Sequence, residues 1–411
     1  MLMFKLALRN ILRSRRRTLL TLLSLGGGYL LTALQLSVTE GSYDQMLSTY
    51  TRDTTGHVQI TAEGYVETPR LYDSLSLNDA DLSELEAQPN VVAVTPRIES
   101  SALAYGETKS FPVDVVGIDP QREAGLSFLA DKLRAGTYLT DQPDTDGYFA
   151  AMIGAQVARQ LSVGVGDELV LVSQGADGSL ANDLYRVSAI VGTIDSAESR
   201  RVVLPLRAAQ QFYAMPGKVH RLIVLGRDYR RAPQLAEQLD GWAGQHWDDT
   251  DVGATSWQVV AADFYRTMEA DKSGGQVTMV ILIFLVCVGV LNTILMSVME
   301  RTGEFGVLKA IGTSPGRLFR LIMLEAGLLA ILACLLALIL VLPINAWFTW
   351  VGLEIEPIEF SGVLFTRYAG QMSFYVFAQP ALLIVVATLI AALWPAWRAA
   401  RLVPVEAMRR L

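Results

Sequence analysis

Four long apolar runs separate this sequence into membrane-length segments and polar segments. The runs cover residues 18–39, 277–298, 321–342 and 378–394. A helix needs about 20 apolar residues to cross a hydrocarbon core roughly 30 Å thick. Because residues 41–272 contain no such run, the pattern predicts a membrane α-helical protein with a large extracytoplasmic α+β domain inserted between the first two helices. The four transmembrane helices are predicted at 18–40, 273–299, 318–348 and 378–397.

Within 41–272, alternating runs predict strands and runs with a period near 3.6 predict helices. Strands are expected at 56–62, 91–99, 101–105, 111–119, 148–153, 166–173, 185–194, 219–225 and 256–260. Helices are expected at 79–87, 154–161 and 232–247, with a strand followed by a helix at 202–213. A helix at 263–272 leads into the second apolar run through Gly274 and Gly275, which form either a hinge or a break at membrane entry.

Basic residues predict the orientation of these segments. Lys and Arg are concentrated at 1–17, in the loop 300–317 that ends near Arg320, and at 398–411. Short loops rich in Lys and Arg stay in the cytoplasm. Both termini and the 300–317 loop are therefore predicted to be cytoplasmic, and residues 41–272 and the short loop 349–377 to lie outside. Residues 1–17 are expected to form an amphipathic helix on the inner surface, or simply a basic anchor.

The predicted outer domain is acidic. Residues 41–272 hold 19 Lys and Arg against 33 Asp and Glu, a net charge of −14. Nucleic-acid binding needs a positive electrostatic field, so nucleic acid is not expected as a partner. An acidic surface of this kind favours solubility and does not identify a substrate.

The cytoplasmic loop 300–317 has the pattern of a short amphipathic helix. Phe305, Leu308 and Ile311 recur at helical spacing, Gly312 stands where a helix would end, and Pro315 prevents its continuation. Such a helix is suited to docking into a cleft on a soluble partner. The alternative is a helix that lies on the lipid surface.

Polar residues within the apolar runs are candidate sites because they are costly in hydrocarbon. Asn292 and Glu325 are the candidates for functional intramembrane contacts. Interhelical hydrogen bonding, or pairing of Glu325 with Arg320 or Lys309, is the alternative. Gly26, Gly27 and Gly28 in the first run predict a closely packed helix face.

Enzyme and cofactor motifs do not fit this chain. Residues 312–316 match G-x-S-x-G literally, but no predicted strand precedes them. His57, His220 and His246 are scattered and have no metal-ligand spacing. The sequence has no G-x-x-x-x-G-K-[ST] phosphate loop. No cofactor is therefore expected in this chain, and the chain is not expected to be an enzyme.

Three segments resemble the FtsX-like permeases of MacB-type ABC transporters. They are the loop and helix MERTGEFGVLKAIGTSPGRLFRLIMLEAGLLA, the tail PAWRAARLVPVEAMRRL and the start LALRNILRSRRRTLLTLLSL. The segments TGHVQI and IGAQVARQLSVGVGDELVLVS are similar to sequences of the lipoprotein-releasing LolC/LolE branch of this family. The resemblance makes 273–400 an FtsX-like permease domain and 41–272 a MacB-like core domain, with a subdomain at 121–218 inserted into an outer part at 41–120 and 219–272.

The resemblance also implies partners and a role. A separate cytoplasmic ABC ATPase, in two copies, would bind ATP and Mg²⁺, and a second permease, identical or related, would complete the pathway. Residues matched to the coupling segment would contact the ATPase: Glu300, Arg301, Glu304, Phe305, Leu308, Lys309, Ala310 and Gly312. The expected activity is transmission of ATP-driven motion in a bacterial inner membrane, with release of lipoproteins. A periplasmic chaperone and membrane lipids are further expected partners.

Two other activities stay open on the sequence. One is MacB-like efflux of other envelope substrates. The other is an FtsX-type regulator that activates cell-wall hydrolases, although the 232 residues of 41–272 exceed the outer domain usual in such regulators.

Overall fold

The computed structural model describes residues 15–247, 252–360 and 363–401. Most of the predicted surface helix at 1–17 and of the tail at 398–411 lies outside these residues. The chain forms two compact units, a helical unit (Met1–Asp44, Met268–Ile355 and Arg367–Leu411) and a sheet unit (Gln45–Thr267 and Glu356–Thr366).

Within the described residues, four helices are long and apolar enough to cross a membrane. They are α1 (Arg15–Tyr50), α8 (Ala262–Glu300), α10 (Pro315–Trp350) and α11 (Phe374–Ala400). The short helix α9 (Thr302–Ala310) lies between α8 and α10 in the chain. Gly274 and Gly275 lie inside α8. The helix is therefore continuous at the position where the sequence analysis predicts either a hinge or a break.

The core of the helical unit is built from small and branched side chains on all four long helices. Leu25, Ile294, Ala330 and Ile384 are buried in it. A Cβ on Gly28 would collide with Val286, so glycine permits the close approach of α1 and α8. The packed helix face predicted for the glycine triplet is confirmed at this position.

Two paired strands follow α10 within the segment 349–377, which the sequence analysis predicts to be a short loop. They are β13 (Leu353–Phe360) and β14 (Val363–Tyr368). Leu353 and Ile355 alternate with Glu354 and Glu356, which is a strand signal. The sequence analysis overlooked this alternation between two long helices and predicted no strand there.

Ten of the described strands of the sheet unit form one sheet. They are β1 (Val58–Ala62), β3 (Val91–Tyr105), β4 (Ser110–Ile118), β5 (Leu133–Gly136), β6 (Ala150–Gly154), β7 (Glu168–Gln174), β8 (Leu180–Val191), β9 (Arg201–Pro205), β11 (Arg221–Gly226) and β12 (Val252–Ser256). Their order in the sheet is β12-β1-β11-β3-β4-β9-β6-β8-β5, with β7 paired to β3 and β8. Most neighbours are antiparallel, and β4–β9 and β6–β8 are parallel. The short strands β2 (Leu75–Ser76) and β10 (Lys218–Val219) pair separately.

Short helices pack against this sheet through apolar residues such as Leu85, Ala209, Phe212 and Leu239, which are buried in a common core. The helices are α2 (Asp79–Glu86), α3 (Pro120–Leu126), α4 (Ala155–Leu161), α5 (Leu206–Phe212), α6 (Ala232–His246) and α7 (Trp257–Val260). A π-helix, Thr51–Thr55, follows α1, and 3₁₀ turns occupy Ala130–Lys132 and Tyr229–Arg231.

Most of the predicted strands and helices of this unit are confirmed, with two differences. The runs 91–99 and 101–105 form the single strand β3. The strand predicted at 256–260 was wrong, because β12 ends at Ser256 and residues Trp257–Val260 are helical. Trp257 is buried while Val259 is exposed, and so short an apolar run does not distinguish strand from helix.

Candidate functional site

The segment with the richest predicted chemistry forms α9 and its flanking turns. Arg301 breaks the helical path after α8, and α9 ends at Ala310, with Ile311 as its C-terminal cap residue. Gly312 then takes a φ of +97°, a conformation that glycine adopts without steric cost. Pro315 is the first residue of α10. The literal G-x-S-x-G match at 312–316 thus runs from the turn after α9 into the first residues of α10, and the element directly before it is a helix.

The inner face of α9 is fixed to α10 by a buried ion pair. Arg301 Nη1 donates to both carboxylate oxygens of Glu325, each at 2.9 Å, and Arg301 Nε donates to Glu304 at 3.1 Å. The Arg301 and Glu325 side chains are only 14% and 10% exposed. Glu325 is therefore paired with Arg301, and not with Arg320 or Lys309, the two partners named in the alternative. Arg301 follows α8 directly in the chain and reaches Glu325 on α10, a contact that the spacing of residues in the sequence does not reveal.

The end of α9 is fixed to α11. Lys309 Nζ donates to the carbonyl oxygen of Ala400 at 3.0 Å. Ala400 is the last residue of α11, and helix C-terminal carbonyls carry partial negative charge that a cation stabilises. α9 is thus bonded to α10 through Arg301 and to α11 through Lys309.

The predicted coupling residues divide between the two faces of α9. Phe305 is 1% exposed and lies in the helical core, with Arg301 over its ring at 5.2 Å. Ile311 is 75% exposed. Contrary to the sequence-based expectation, Phe305, Leu308 and Ile311 do not form one exposed surface, because Phe305 is buried in the helical core while Ile311 is exposed. Between residues 300 and 312, the exposed residues are Glu300, Glu304, Val307, Ala310, Ile311 and Gly312.

A polar cluster that the sequence analysis missed joins α1, α10 and the segment before α11. Ser37 Oγ donates to Asn345 Oδ1, and Asn345 Nδ2 donates to the carbonyl of Gln371 at 3.2 Å. The amide of Gln371 donates to Ser37 Oγ at 3.0 Å. Asn345 is fully buried. The sequence signal that could have revealed this cluster is Asn345, a polar residue inside the apolar segment VLPINAWF.

The other predicted intramembrane residue, Asn292, has a different environment from Glu325. Its side chain is exposed on α8. Within the described chain it makes no hydrogen bond.

A cavity of about 340 Å³ lies between α1, α8 and α11 in the helical unit. Its walls include Leu36, Met279, Ile283 and Leu383, and Glu40 and Lys272 form an ion pair of 2.9 Å at one end. The side-chain oxygens of Gln35 and Gln379 are buried there with no hydrogen-bond partner in the described chain. The cavity thus combines apolar walls with polar groups near one end, which suits an amphipathic ligand.

A buried charge network holds the end of the first helix in the sheet unit. Arg97 Nη2 donates to Glu123 at 2.6 Å, and the two side chains are 3% and 2% exposed. Arg97 Nη1 also donates to the carbonyl oxygen of Thr54 at 3.0 Å. Thr54 belongs to the π-helix that continues α1. Strand β3 therefore supplies a cation to the unsatisfied carbonyls at this helix end.

Lys132 extends the network. Its Nζ lies 2.8 Å from Asp53 and 2.5 Å from Glu198. Burial opposes the ammonium charge, but the two carboxylates outweigh burial and raise the pKa of Lys132. Burial of Glu198 likewise opposes its charge, and the nearby Lys132 outweighs burial and lowers the pKa of Glu198. Both groups are therefore charged at neutral pH.

The histidines are hydrogen-bonded parts of the sheet unit. His57 Nδ1 accepts from the amide of Gly226 at 3.0 Å, and His220 Nδ1 accepts from the amide of Glu99 at 3.0 Å. Burial lowers the pKa of His57 to about 4 and also lowers the pKa of His220. Among the described residues, no group of three or more His, Cys, Asp and Glu could hold a metal ion.

The comparison with known families agrees with both units. Residues 18–241 match the MacB-like periplasmic core domain, and residues 277–404 match the FtsX-like permease C-terminal domain. These two matches place the chain in the class of ABC-transporter permeases. The chain belongs to the MacB-like family of FtsX-like permeases. The resemblance found in the sequence is confirmed.

Individual relatives are distant. The lipoprotein-releasing system transmembrane protein LolC of Xylella fastidiosa is 25% identical over 340 residues, which cover 78% of each chain. The macrolide export ATP-binding/permease protein MacB of Sodalis glossinidius is 27% identical over 98% of this chain and 60% of its own. The solved periplasmic region of MacB from Actinobacillus actinomycetemcomitans covers 53% of this chain and 97% of its own, at 16% identity and a TM-score of 0.39.

Proposed function

We propose that this chain transmits the ATP-driven motion of a separate cytoplasmic ABC ATPase to its periplasmic domain. The observation that carries the proposal is the two-faced geometry of α9. Its inner face is bonded to α10 by Arg301 and to α11 by Lys309. Its outer face leaves Ile311 75% exposed. A partner that moved the outer face would therefore also move two long helices.

The topology of the proposal follows the charge distribution of the sequence. Both termini and α9 lie in the cytoplasm of a bacterial cell, and the acidic sheet unit lies in the periplasm. α1, α8, α10 and α11 cross the inner membrane. Two ATPase copies and a second permease complete the assembly, and ATP and Mg²⁺ are bound by the ATPase.

Envelope lipoproteins are the proposed substrate class. LolC, one of the relatives, is named for lipoprotein release. The cavity beside Leu36 and Ile283 has apolar walls for an acyl chain and polar groups near one end. Export of other envelope substrates is the second candidate, which the match to MacB over 98% of this chain favours.

A charge on the outer face of α9 is expected to uncouple the ATPase. Charge reversal of Glu304 or Lys309 would also break bonds inside the helical unit, because these side chains bond to Arg301 and to the carbonyl oxygen of Ala400. Ile311→Asp is the cleaner change because Ile311 is exposed. A lost apolar contact at a partner interface should lower the ATPase affinity about tenfold. The measurement is ATP hydrolysis by the co-purified ATPase as a function of permease concentration.

Leu180→Asp is the matched control, since Leu180 is 78% exposed in the sheet unit. This variant should stimulate hydrolysis like the unmodified chain. Equal stimulation by the Ile311 and Leu180 variants would remove the docking role of α9.

Photocrosslinking tests the substrate class. A photoreactive residue at Leu36 or Ile283 is expected to form adducts with an acylated lipoprotein, because both residues line the cavity. The same residue at Leu336, which is 47% exposed on α10, is the control and should form none. If positions 36 and 283 gave no adducts while ATPase stimulation stayed normal, export of other substrates would replace the lipoprotein assignment.

A further inference from the structure

A polar cavity of about 330 Å³ lies at one end of the large sheet, beside the edge strand β12. Its walls come from β1, from the turn after β1, from α6 and from β12. Three carboxylates line it, those of Glu63, Glu67 and Asp240. Sites for small molecules have volumes of about 300–1,000 Å³. The cavity is therefore large enough for a small organic ligand.

The three carboxylates have no cationic partner among the residues that the structure describes. Arg221 lies opposite Thr61 on the neighbouring strand β11, but its guanidinium is engaged with Glu99 and Gln59. The connection between α6 and β12, residues 248–251, has the sequence DDTD and contributes no basic side chain. The charge of the cavity therefore favours a cationic ligand.

A buried hydroxyl adds a second requirement. Thr61 lines the cavity although its side chain is only 3% exposed, and its hydroxyl makes no hydrogen bond within the described residues. Thr255 lies on the same face of the sheet, on β12, and lines the cavity too. A buried polar group is costly unless it is hydrogen-bonded. An ammonium group, which has three donors, would satisfy such a hydroxyl oxygen.

The carboxylates are held in position by contacts outside the cavity. Tyr65 lies between the two glutamates in the chain, is 3% exposed and stacks on His220 with ring centroids 5.4 Å apart. On α6, Asp240 Oδ1 accepts from the amide of Ala254 at 2.9 Å. A site whose charged groups are already fixed loses less conformational entropy when a ligand binds.

The spacing of the carboxylates distinguishes between kinds of cation. Among the described residues, no group of three or more His, Cys, Asp and Glu could hold a metal ion. Separate ammonium groups on a flexible chain match separate carboxylates better than one small ion does. Ala62, Val66 and Val252 supply apolar wall for the methylene groups between the ammonium groups.

We propose that this cavity binds a linear diamine or polyamine. Glu63, Glu67 and Asp240 pair with its ammonium groups, and the Thr61 hydroxyl accepts a hydrogen bond from one of them. The site belongs to the sheet unit alone, so it does not depend on the proposed ATPase coupling or on the proposed substrate class.

Calorimetric titration of spermidine tests the site, with the full chain in nanodiscs of neutral phosphatidylcholine. The double variant Glu63→Gln, Glu67→Gln should bind spermidine at least about tenfold more weakly, because two of the three charges are lost. Both side chains are exposed, so its melting temperature should not change. The control Asp141→Asn, Asp195→Asn removes the same charge at exposed positions outside the cavity and should bind like the unmodified chain.

Thr61→Val separates the hydrogen bond from the charges, since it removes the hydroxyl and keeps the volume. It is expected to weaken binding about threefold, and unchanged binding would overturn the role of the hydroxyl. No binding of spermidine to the unmodified chain would overturn the site. Equal weakening in both double variants would also overturn it, because it would show general attraction to the acidic surface.

A trilysine peptide is the second probe, since lysine side chains carry the same ammonium groups. Tighter binding of this peptide than of spermidine, lost in the Glu63→Gln, Glu67→Gln variant, would overturn the polyamine assignment in favour of a basic segment of a partner protein. Weaker binding of the peptide would support the polyamine. ATPase stimulation by this variant should stay normal, so the site and the coupling function can fail separately.

Discussion

Arg301→Met is expected to destabilise the folded chain by about 3–5 kcal/mol. The substitution leaves the Glu325 carboxylate without its partner, and that side chain is only 10% exposed. Breaking a buried ion pair from one side is costly because the remaining charge keeps its desolvation penalty. Thermal or denaturant unfolding of the full chain in lipid nanodiscs measures the loss.

The double variant Arg301→Met, Glu325→Leu separates the charge from the packing. It should recover most of the lost stability, because two apolar side chains of similar volume replace both charges. The coupling energy between the two sites then follows from a double-mutant cycle. Destabilisation of the double variant by the sum of the two single effects would contradict the ion-pair explanation.

Glu123→Gln is the second substitution with a large expected effect. It removes the charged partner of Arg97, and both side chains are almost completely buried. The expected cost is about 3–5 kcal/mol, which for a domain of this size lowers the melting temperature on the order of 10 °C. Hydrogen exchange on the full chain should show lost protection in β3 and in Thr51–Thr55, because Arg97 connects the two.

Asp146→Asn is the control for this experiment. Asp146 pairs with Arg186 at 3.2 Å in the same unit, but its side chain is 59% exposed. An exposed pair contributes at most about 1 kcal/mol. If Glu123→Gln cost no more than Asp146→Asn, the carbonyls of Asp53 and Thr54 alone would account for the position of Arg97.

Local patterns predicted the parts of the fold that depend on local physics. Apolar runs of membrane length gave the long helices, and alternating runs gave strands such as β1 and β4, because periodicity reports which face is buried. The glycine triplet correctly predicted close helix packing at Gly28. The end of α9 was predictable because Gly312 and Pro315 act on the backbone locally.

Contacts between distant residues were not predictable in the same way. The partner of Glu325 depends on the turn at Arg301, which brings the two together across 24 residues. Phe305 is buried and Ile311 is exposed, although their helical spacing in the sequence predicts that they lie on the same face. Asn345 meets Ser37 across 308 positions. A single sequence specifies the residue types in these contacts but not their partners.

The division of α9 into two faces has a consequence for redesign. Residues that bind the long helices, among them Arg301, Phe305 and Lys309, are different from the exposed ones, such as Val307, Ala310 and Ile311. If the ATPase docks on α9 as proposed, a change in the ATPase that this permease accepts would require new side chains at only a few solvent-facing positions. The buried contacts of α9 with α10 and α11 would keep their residues.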